Sequence, residues 1–316
     1  MPSALIFGIT GYAGSVLARH LARRGWRVRG LGRDEEAATD LEGLGVDVEL
    51  GDVGDPEALT DIGHDGDHVF YLAGSVSGAA KWVRRVGHDG LVNACNALEG
   101  VAIASFTLVG TLAVYGAGGP DVLNEESPLR PNSTLGRVNL AGERLLAARR
   151  RAAAMPARIV RAGTIYGPGR DTVAALRERR LRLIGSGANH QSRIHVDDLA
   201  RVLEAVAVAG APGGAYLAVD DEPTPLRTYY DALAAALGLP PPRRTPRVLA
   251  RALVTALGLS AALSRGYSPL SHSLYCLVTA SYRCANTKIR GQLGVELHYP
   301  TYREGVASIV ATLPAD

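Results

Sequence analysis

Cysteine is scarce: Cys95, Cys276 and Cys284 are the only three in 316 residues. The count is odd and no spacing matches a zinc or redox motif. A disulfide framework is thereby excluded, no metal site is expected, and the expected compartment is the reducing cytoplasm. Long apolar runs are also missing. No uncharged stretch reaches the ~18 residues that cross a bilayer. No basic segment with a long apolar core precedes the first apolar run, Ala4-Leu5-Ile6-Phe7, so neither export nor a membrane partner is expected. The formal net charge of +3 is too small to argue for nucleic acid. The run Arg149-Arg150-Arg151 ends a predicted helix and reads as a solvated face that suits a helix C-terminus. There are no internal repeats and no low-complexity tract.

What is present is ordinary for a soluble globular chain, 47% hydrophobic and 21% charged. The length suits one large domain, or a core with a smaller lobe. Strand and helix signals alternate through the first half. Apolar runs at 4–7, 27–31, 46–50, 68–72, 103–109 and 158–162 read as strands. Residues 15–24 have helical spacing, closed by Gly25. The second half is less regular, with helix signals at 197–208, 228–237 and 247–263 and a strand at 214–219. The pattern predicts an α/β fold: a doubly wound parallel sheet with a smaller C-terminal substrate-binding lobe. The expected division is 1–167 for the dinucleotide-binding core and 168–316 for the lobe, with 191–222 partly returning to the core.

The strongest motif is Gly8-Ile9-Thr10-Gly11-Tyr12-Ala13-Gly14. Three spaced glycines alone say little, but these follow a strand and open a helix. Glycine lets the backbone approach a pyrophosphate, and the helix N-terminus offers unpaired N–H groups and positive potential. Gly8, Thr10, Gly11, Tyr12, Ala13 and Gly14 are therefore expected to bind a nicotinamide dinucleotide. At the end of the second strand, where an acid commonly holds the ribose hydroxyls, the sequence reads Gly30-Leu31-Gly32-Arg33. Arg33 suits a 2′-phosphate, which favours NADP(H), with NAD(H) as the alternative. Asp52 and Val53 are expected beside the adenine. Ala73 and Gly74 lie where the cofactor crosses the sheet edge.

Further pieces occur in order: Gly51-Asp52, Tyr71-Leu72-Ala73-Gly74, Val114-Tyr115-Gly116, Tyr166-Gly167-Pro168-Gly169 and Arg193-Ile194-His195-Val196-Asp197-Asp198. With the glycine loop they make the chain resemble the extended short-chain dehydrogenase/reductases, the Rossmann group of NAD-dependent epimerases and dehydratases. The resemblance covers nearly the whole chain. It implies a Tyr-x-x-x-Lys pair on one helix, four residues apart and so on one face, with the tyrosine as general acid or base. Pro131, Gly136 and Glu143 fix the register, which puts Leu135 at the tyrosine position and Asn139 at the lysine position. Leucine has no proton to give, and asparagine carries no charge. Asn139 is then expected only as a cofactor contact. Thr111 matches the family's Ser/Thr, and Tyr115 and Tyr166, at strand ends, are the candidates to replace the missing acid. Lys81, after the cofactor-crossing segment, and His190, in a Gly-rich stretch, are further candidates, with His190 reading more simply as a surface loop residue. The segment His195, Asp197 and Asp198 reads as pinning the lobe to the core. Tyr267, His272 and Tyr275 are expected on the lobe's wall.

Three functions remain open at this point. The first is an NADP(H)-binding oxidoreductase or epimerase acting on a small carbonyl, hydroxyl or sugar-like substrate. The second is a non-redox isomerase, dehydratase or cyclase on the same fold. The third is a sensor of the NADP(H) ratio. A small-molecule substrate is the expected partner, with a homodimer possible.

Overall fold

The computed structural model describes residues 1–74, 80–264 and 271–314, with backbone alone for 258–264. The first half alternates as its periodicity requires: β1 (Ser3–Phe7), α1 (Tyr12–Arg23), β2 (Arg27–Gly32), α2 (Glu35–Glu42), β3 (Asp47–Leu50) and β4 (Asp67–Tyr71). Then come α3 (Ala80–Arg84), a π-helical turn Arg85–Asp89, α4 (Gly90–Ala97), β5 (Ser105–Thr111), β6 (Gly118–Leu123), α5 (Thr134–Ala153), β7 (Ala157–Ala162) and β8 (Thr164–Tyr166). The second half contains α6 (Thr172–Arg177), β9 (Arg182–Ile184), β10 (His190–Gln191), β11 (Arg193–His195), α7 (Val196–Ala209), β12 (Ala215–Ala218) and β13 (Thr224–Pro225). It closes with α8 (Leu226–Ala236), β14 (Arg243–Thr245), α9 (Arg247–Ser264), α10 (His272–Thr279), β15 (Ser281–Cys284), α11 (Thr287–Gly291) and α12 (Tyr302–Ala311).

Seven strands form one parallel sheet in the order β12-β7-β5-β4-β1-β2-β3. Both faces are covered, so its strands are apolar on both sides. In β1, Ala4 and Ile6 enter the layer with Leu17 and Leu21 of α1 and Leu199 and Leu203 of α7. Their neighbours Leu5 and Phe7 point the other way, into a layer with Leu91 of α4 and Leu146 of α5. That is the two-residue period of a strand buried on both faces. From β1 the chain winds through β2 and β3 to one edge. From β4 it winds through β5 and β7 toward the other. The reversal between β1 and β4 opens a crevice at their C-terminal ends, where ligands bind in such sheets.

The lobe packs around Tyr166, Leu176, Tyr229, Leu233, Tyr302 and Val306. Much of the second half nevertheless belongs to the core. The strand β12 forms a sheet edge, α7 lies against α1, and Ile289, Val295 and Leu297 join the cluster that contains β1. Asp198, fully buried in α7, explains how the late segment is held: its two oxygens accept the His298 and Tyr299 amides, each at 2.8 Å.

Candidate cofactor cleft and active site

At the switch point lies a cleft of about 500 Å3. Eight of the expected cofactor residues line it: Gly8, Thr10, Gly11, Arg33, Asp52, Val53, Ala73 and Gly74. The loop has this shape because its glycines are pressed against backbone. Gly8 has φ +87°, and a Cβ there would stand 2.8 Å from the Ala73 nitrogen. A Cβ on Gly14 would stand 2.1 Å from the Gly8 oxygen, so only glycine lets α1 pack down on the loop. Gly11 caps α1 with no side chain in the way. The helix N-terminus is left to face a ligand. This cradle fits a dinucleotide pyrophosphate.

The far end of the cleft is built by Thr10. Its hydroxyl accepts from the Arg33 amide at 3.1 Å and the Asp34 amide at 3.4 Å, fixing the corner after β2. The Asp34 carboxylate is occupied as the N-cap of α2, accepting from Ala37 N at 3.1 Å. Arg33 is left to face outward, its side chain 57% exposed. The guanidinium lies 5.0 Å above the Trp82 ring and 3.7 Å from an Asp52 oxygen. The other Asp52 oxygen accepts from Gly54 N at 2.8 Å. Arg85 also leans on Trp82, at 5.9 Å. Trp82 and Arg85, and Val86 in the cleft wall, escaped the sequence reading. They come from α3 and the π-helical turn, where no motif marks them. Leu72 and Gly51, also in the wall, sat inside recognised pieces.

Tyr12, Ala13 and Gly14 begin α1 beside the cleft rather than lining it. The Tyr12 ring carries Arg170 at 4.8 Å. Its hydroxyl is buried with no partner among the described residues, and burial pushes its pKa up.

The candidates for catalysis separate into two groups. Thr111 ends β5, and its hydroxyl accepts from Ala113 N at 3.3 Å. Asn139, one turn into α5, donates to the Leu135 carbonyl at 3.0 Å. Its Oδ1 stands 3.2 Å from where a Gly110 Cβ would lie, so Asn139 and the end of β5 meet. Leu135 is buried with Val83, Ala113 and Val138, and its amide donates to Ser273 Oγ of α10 at 3.2 Å. The tyrosines do not join this group, and neither they nor Thr111, Leu135 and Asn139 are among the residues lining the cleft. The Tyr115 hydroxyl donates to the Asn124 carbonyl at 2.9 Å and accepts from Arg161 at 2.7 Å. Burial pushes its pKa up to about 12, against the pull of Arg161. The Tyr166 hydroxyl donates to the Thr301 carbonyl at 3.3 Å, and burial pushes its pKa up too. Both hydroxyls are committed to holding backbone.

Lys81 is exposed at the start of α3. His190 lies beside the Arg283 guanidinium at 3.3 Å; burial, then that cation, lowers its pKa. His195 is fully buried, stacks on Tyr299 at 3.7 Å and reaches Ser308 of α12 at 3.0 Å. His272 is exposed and Tyr275 half-buried on α10. Tyr267 lies outside the described residues.

A glycine loop at a topological switch point, under a bare helix N-terminus, defines a dinucleotide-binding α/β protein. More narrowly, the chain belongs to the NAD dependent epimerase/dehydratase family, which residues 4–218 match. Two relatives agree with it over most of their length. It is 29% identical to a 3-diazoavenalumate denitrifying reductase from a Streptomyces species, over 96% of this chain and 98% of that one. It is 32% identical to a 2-alkyl-3-oxoalkanoate reductase from Stenotrophomonas maltophilia, over 75% of this chain and 76% of the relative. Among solved structures, the dTDP-glucose 4,6-dehydratase of Streptomyces venezuelae, determined with NAD bound, superposes with a TM-score of 0.80. That likeness covers 98% of this chain and 96% of the other at 19% identity, and it concerns the fold.

Proposed function

We propose that the chain is an NADP(H)-dependent reductase of a small carbonyl compound whose proton comes from water. The observation that carries the reading is the corner after β2. The acid that follows the strand, Asp34, is spent on capping α2, and the Arg33 guanidinium stands at the cleft beside Asp52. A planar cation that forks onto phosphate suits a 2′-phosphate better than ribose hydroxyls. The relatives named as reductases support reduction as the direction.

Gly8, Gly11, Gly14, Thr10, Asp52, Val53, Ala73 and Gly74 would hold the cofactor. Bound nicotinamide supplies the hydride. The chain's own task is to hold the substrate and place a proton on its oxygen. Thr111 donates its hydroxyl proton toward that oxygen and takes one back from water. Asn139, which has one N–H beyond its bond to Leu135, steadies the cofactor side of the site. Leu135 makes that wall apolar and excludes water from it.

Titration of the purified protein with NADPH and NADH, followed by nicotinamide fluorescence, tests the reading. NADPH is expected to bind tighter. Arg33→Ala should weaken NADPH about tenfold or more, the worth of a charge-assisted phosphate contact, and leave NADH nearly unchanged. Equal loss for both cofactors would defeat the NADP(H) assignment. A second reading, a non-redox isomerase or dehydratase, draws on the leucine at the acid position. Turnover by cofactor-free protein would favour it.

A further inference from the structure

Helix α9 turns a hydrocarbon face outward. At about 100° per residue, Ala250 and Val254 point to the lobe and are buried. The outward arc holds Val248, Leu249, Ala252 and Leu253. Val248 is 83% exposed, Leu249 59% and Leu253 47%. Single exposed apolar residues mean little, but a contiguous stripe marks an interaction site.

The rim of this stripe is cationic. Arg247 and Arg251, one turn apart, flank it. In the ladder beside it Arg243 of β14 pairs with Arg182 of β9, and Arg244 follows. All five arginines are exposed. Residues 232–295 contain no Asp or Glu and eight Lys or Arg. The acids on the neighbouring α6 segment, Asp171 and Glu178, are both engaged by Arg180.

We propose that this face docks peripherally on an anionic lipid bilayer. Val248, Leu249 and Leu253 enter the interface while the arginines take lipid phosphates. Charge complementarity selects this occupant. A second copy of the chain would bring the same arginines against each other. Nucleic acid would satisfy the arginines and leave the hydrocarbon in water. An anionic bilayer satisfies both, and a helix with one apolar face and a basic flank lies in the plane of such a surface. Among the described residues no helix is long and apolar enough to cross a membrane, and this docking requires none. It departs from the expectation, drawn from the sequence, that the chain has no membrane partner. It stands whether or not hydride transfer occurs.

Sedimentation of the full chain with vesicles tests it, using phosphatidylcholine alone and phosphatidylcholine mixed with phosphatidylglycerol. The protein is expected to partition onto the mixed vesicles and to leave them at high salt. Removing one arginine near the surface should weaken partition about fivefold. Arg243→Ser with Arg244→Ser should therefore show a clear loss. Leu249→Asp with Leu253→Asp should abolish partition with the thermal melt unchanged; if that pair unfolds, the arginine pair on the exposed strand carries the test. Three results would overturn the proposal. One is equal partition onto neutral and anionic vesicles, or none onto either. Another is an anionic-vesicle complex indifferent to both variant pairs. The last is a leucine pair that dissolves a dimer, or an arginine pair that releases double-stranded DNA, without vesicle binding by the parent protein.

Discussion

Arg161 shows how a single side chain can serve the fold from inside a buried strand. Its guanidinium grips Glu143 through two bonds of 2.9 Å and donates to Tyr115 at 2.7 Å and to the Glu125 carbonyl at 3.0 Å. Both partners of the ion pair are buried. Arg161→Met should cost about 3–5 kcal/mol in a urea titration, because it strands the Glu143 charge. A loss under about 1 kcal/mol would show that water reaches Glu143. Gly14 is the second residue-scale test. Gly14→Ala puts a methyl 2.1 Å from the Gly8 oxygen, and backbone cannot give way as a side chain can. Helical content should persist while cofactor affinity falls at least tenfold, the scale of lost pre-organisation at about 1.4 kcal/mol per tenfold. Retained affinity would mean that the loop tolerates a shifted α1. Arg33 was legible at this scale because its position after β2 is fixed by a strand. Trp82, which supports it, was not, because stacking joins residues that no spacing connects.

At the scale of elements, what could be read from the sequence is what local chemistry decides. The sheet strands lie within two residues of their expected bounds, since a buried parallel strand must be a short apolar run. The helix expected from 197 to 208 runs from Val196 to Ala209. The small pairs were invisible. The β10–β13 pair has two residues a side, and β15 joins β6 through a register shift. Such pieces exist only because tertiary packing brings them together. The start of α5 is set by Ser133, whose hydroxyl accepts from Gly136 N at 3.1 Å. Ser133→Ala should cost about 1 kcal/mol of stability, the ordinary worth of an N-cap. It should also loosen the turn that carries Leu135 and Asn139. Denaturant midpoints measure the first effect, and a fall in kcat at unchanged stability-corrected occupancy measures the second. An unchanged midpoint would mean that Ser133 caps nothing of consequence.

For the molecule as a whole, His195 ties α12 to the corner between β11 and α7. Its Nδ1 accepts from Asp197 N at 3.3 Å, which leaves the proton on Nε2, facing Ser308. Burial holds its pKa below the usual value, although Asp197 and Asp198 pull upward. The unfolded chain takes up a proton near pH ~6.5 that the folded ring refuses. Stability is therefore full above that pH and is lost as the pH falls toward the lowered folded value. Thermal midpoints should drop on acidification from neutrality. His195→Gln should shrink that slope while lowering stability at neutral pH. An unaltered slope would move the effect to His68 and His190, whose pKa values are lowered as well.

The cluster around β1 has a consequence for synthesis. Leu17 and Leu21 of α1 share one apolar layer with Ile289, Val295 and Leu297. At roughly 5–20 residues per second, the early part of that layer waits on the order of 15 to 60 seconds for the residues that close it. Throughout that interval a nascent chain carries an uncovered hydrocarbon surface of the kind that chaperones hold. The yield of folded protein should then follow chaperone supply and translation speed more closely than the final stability of the fold.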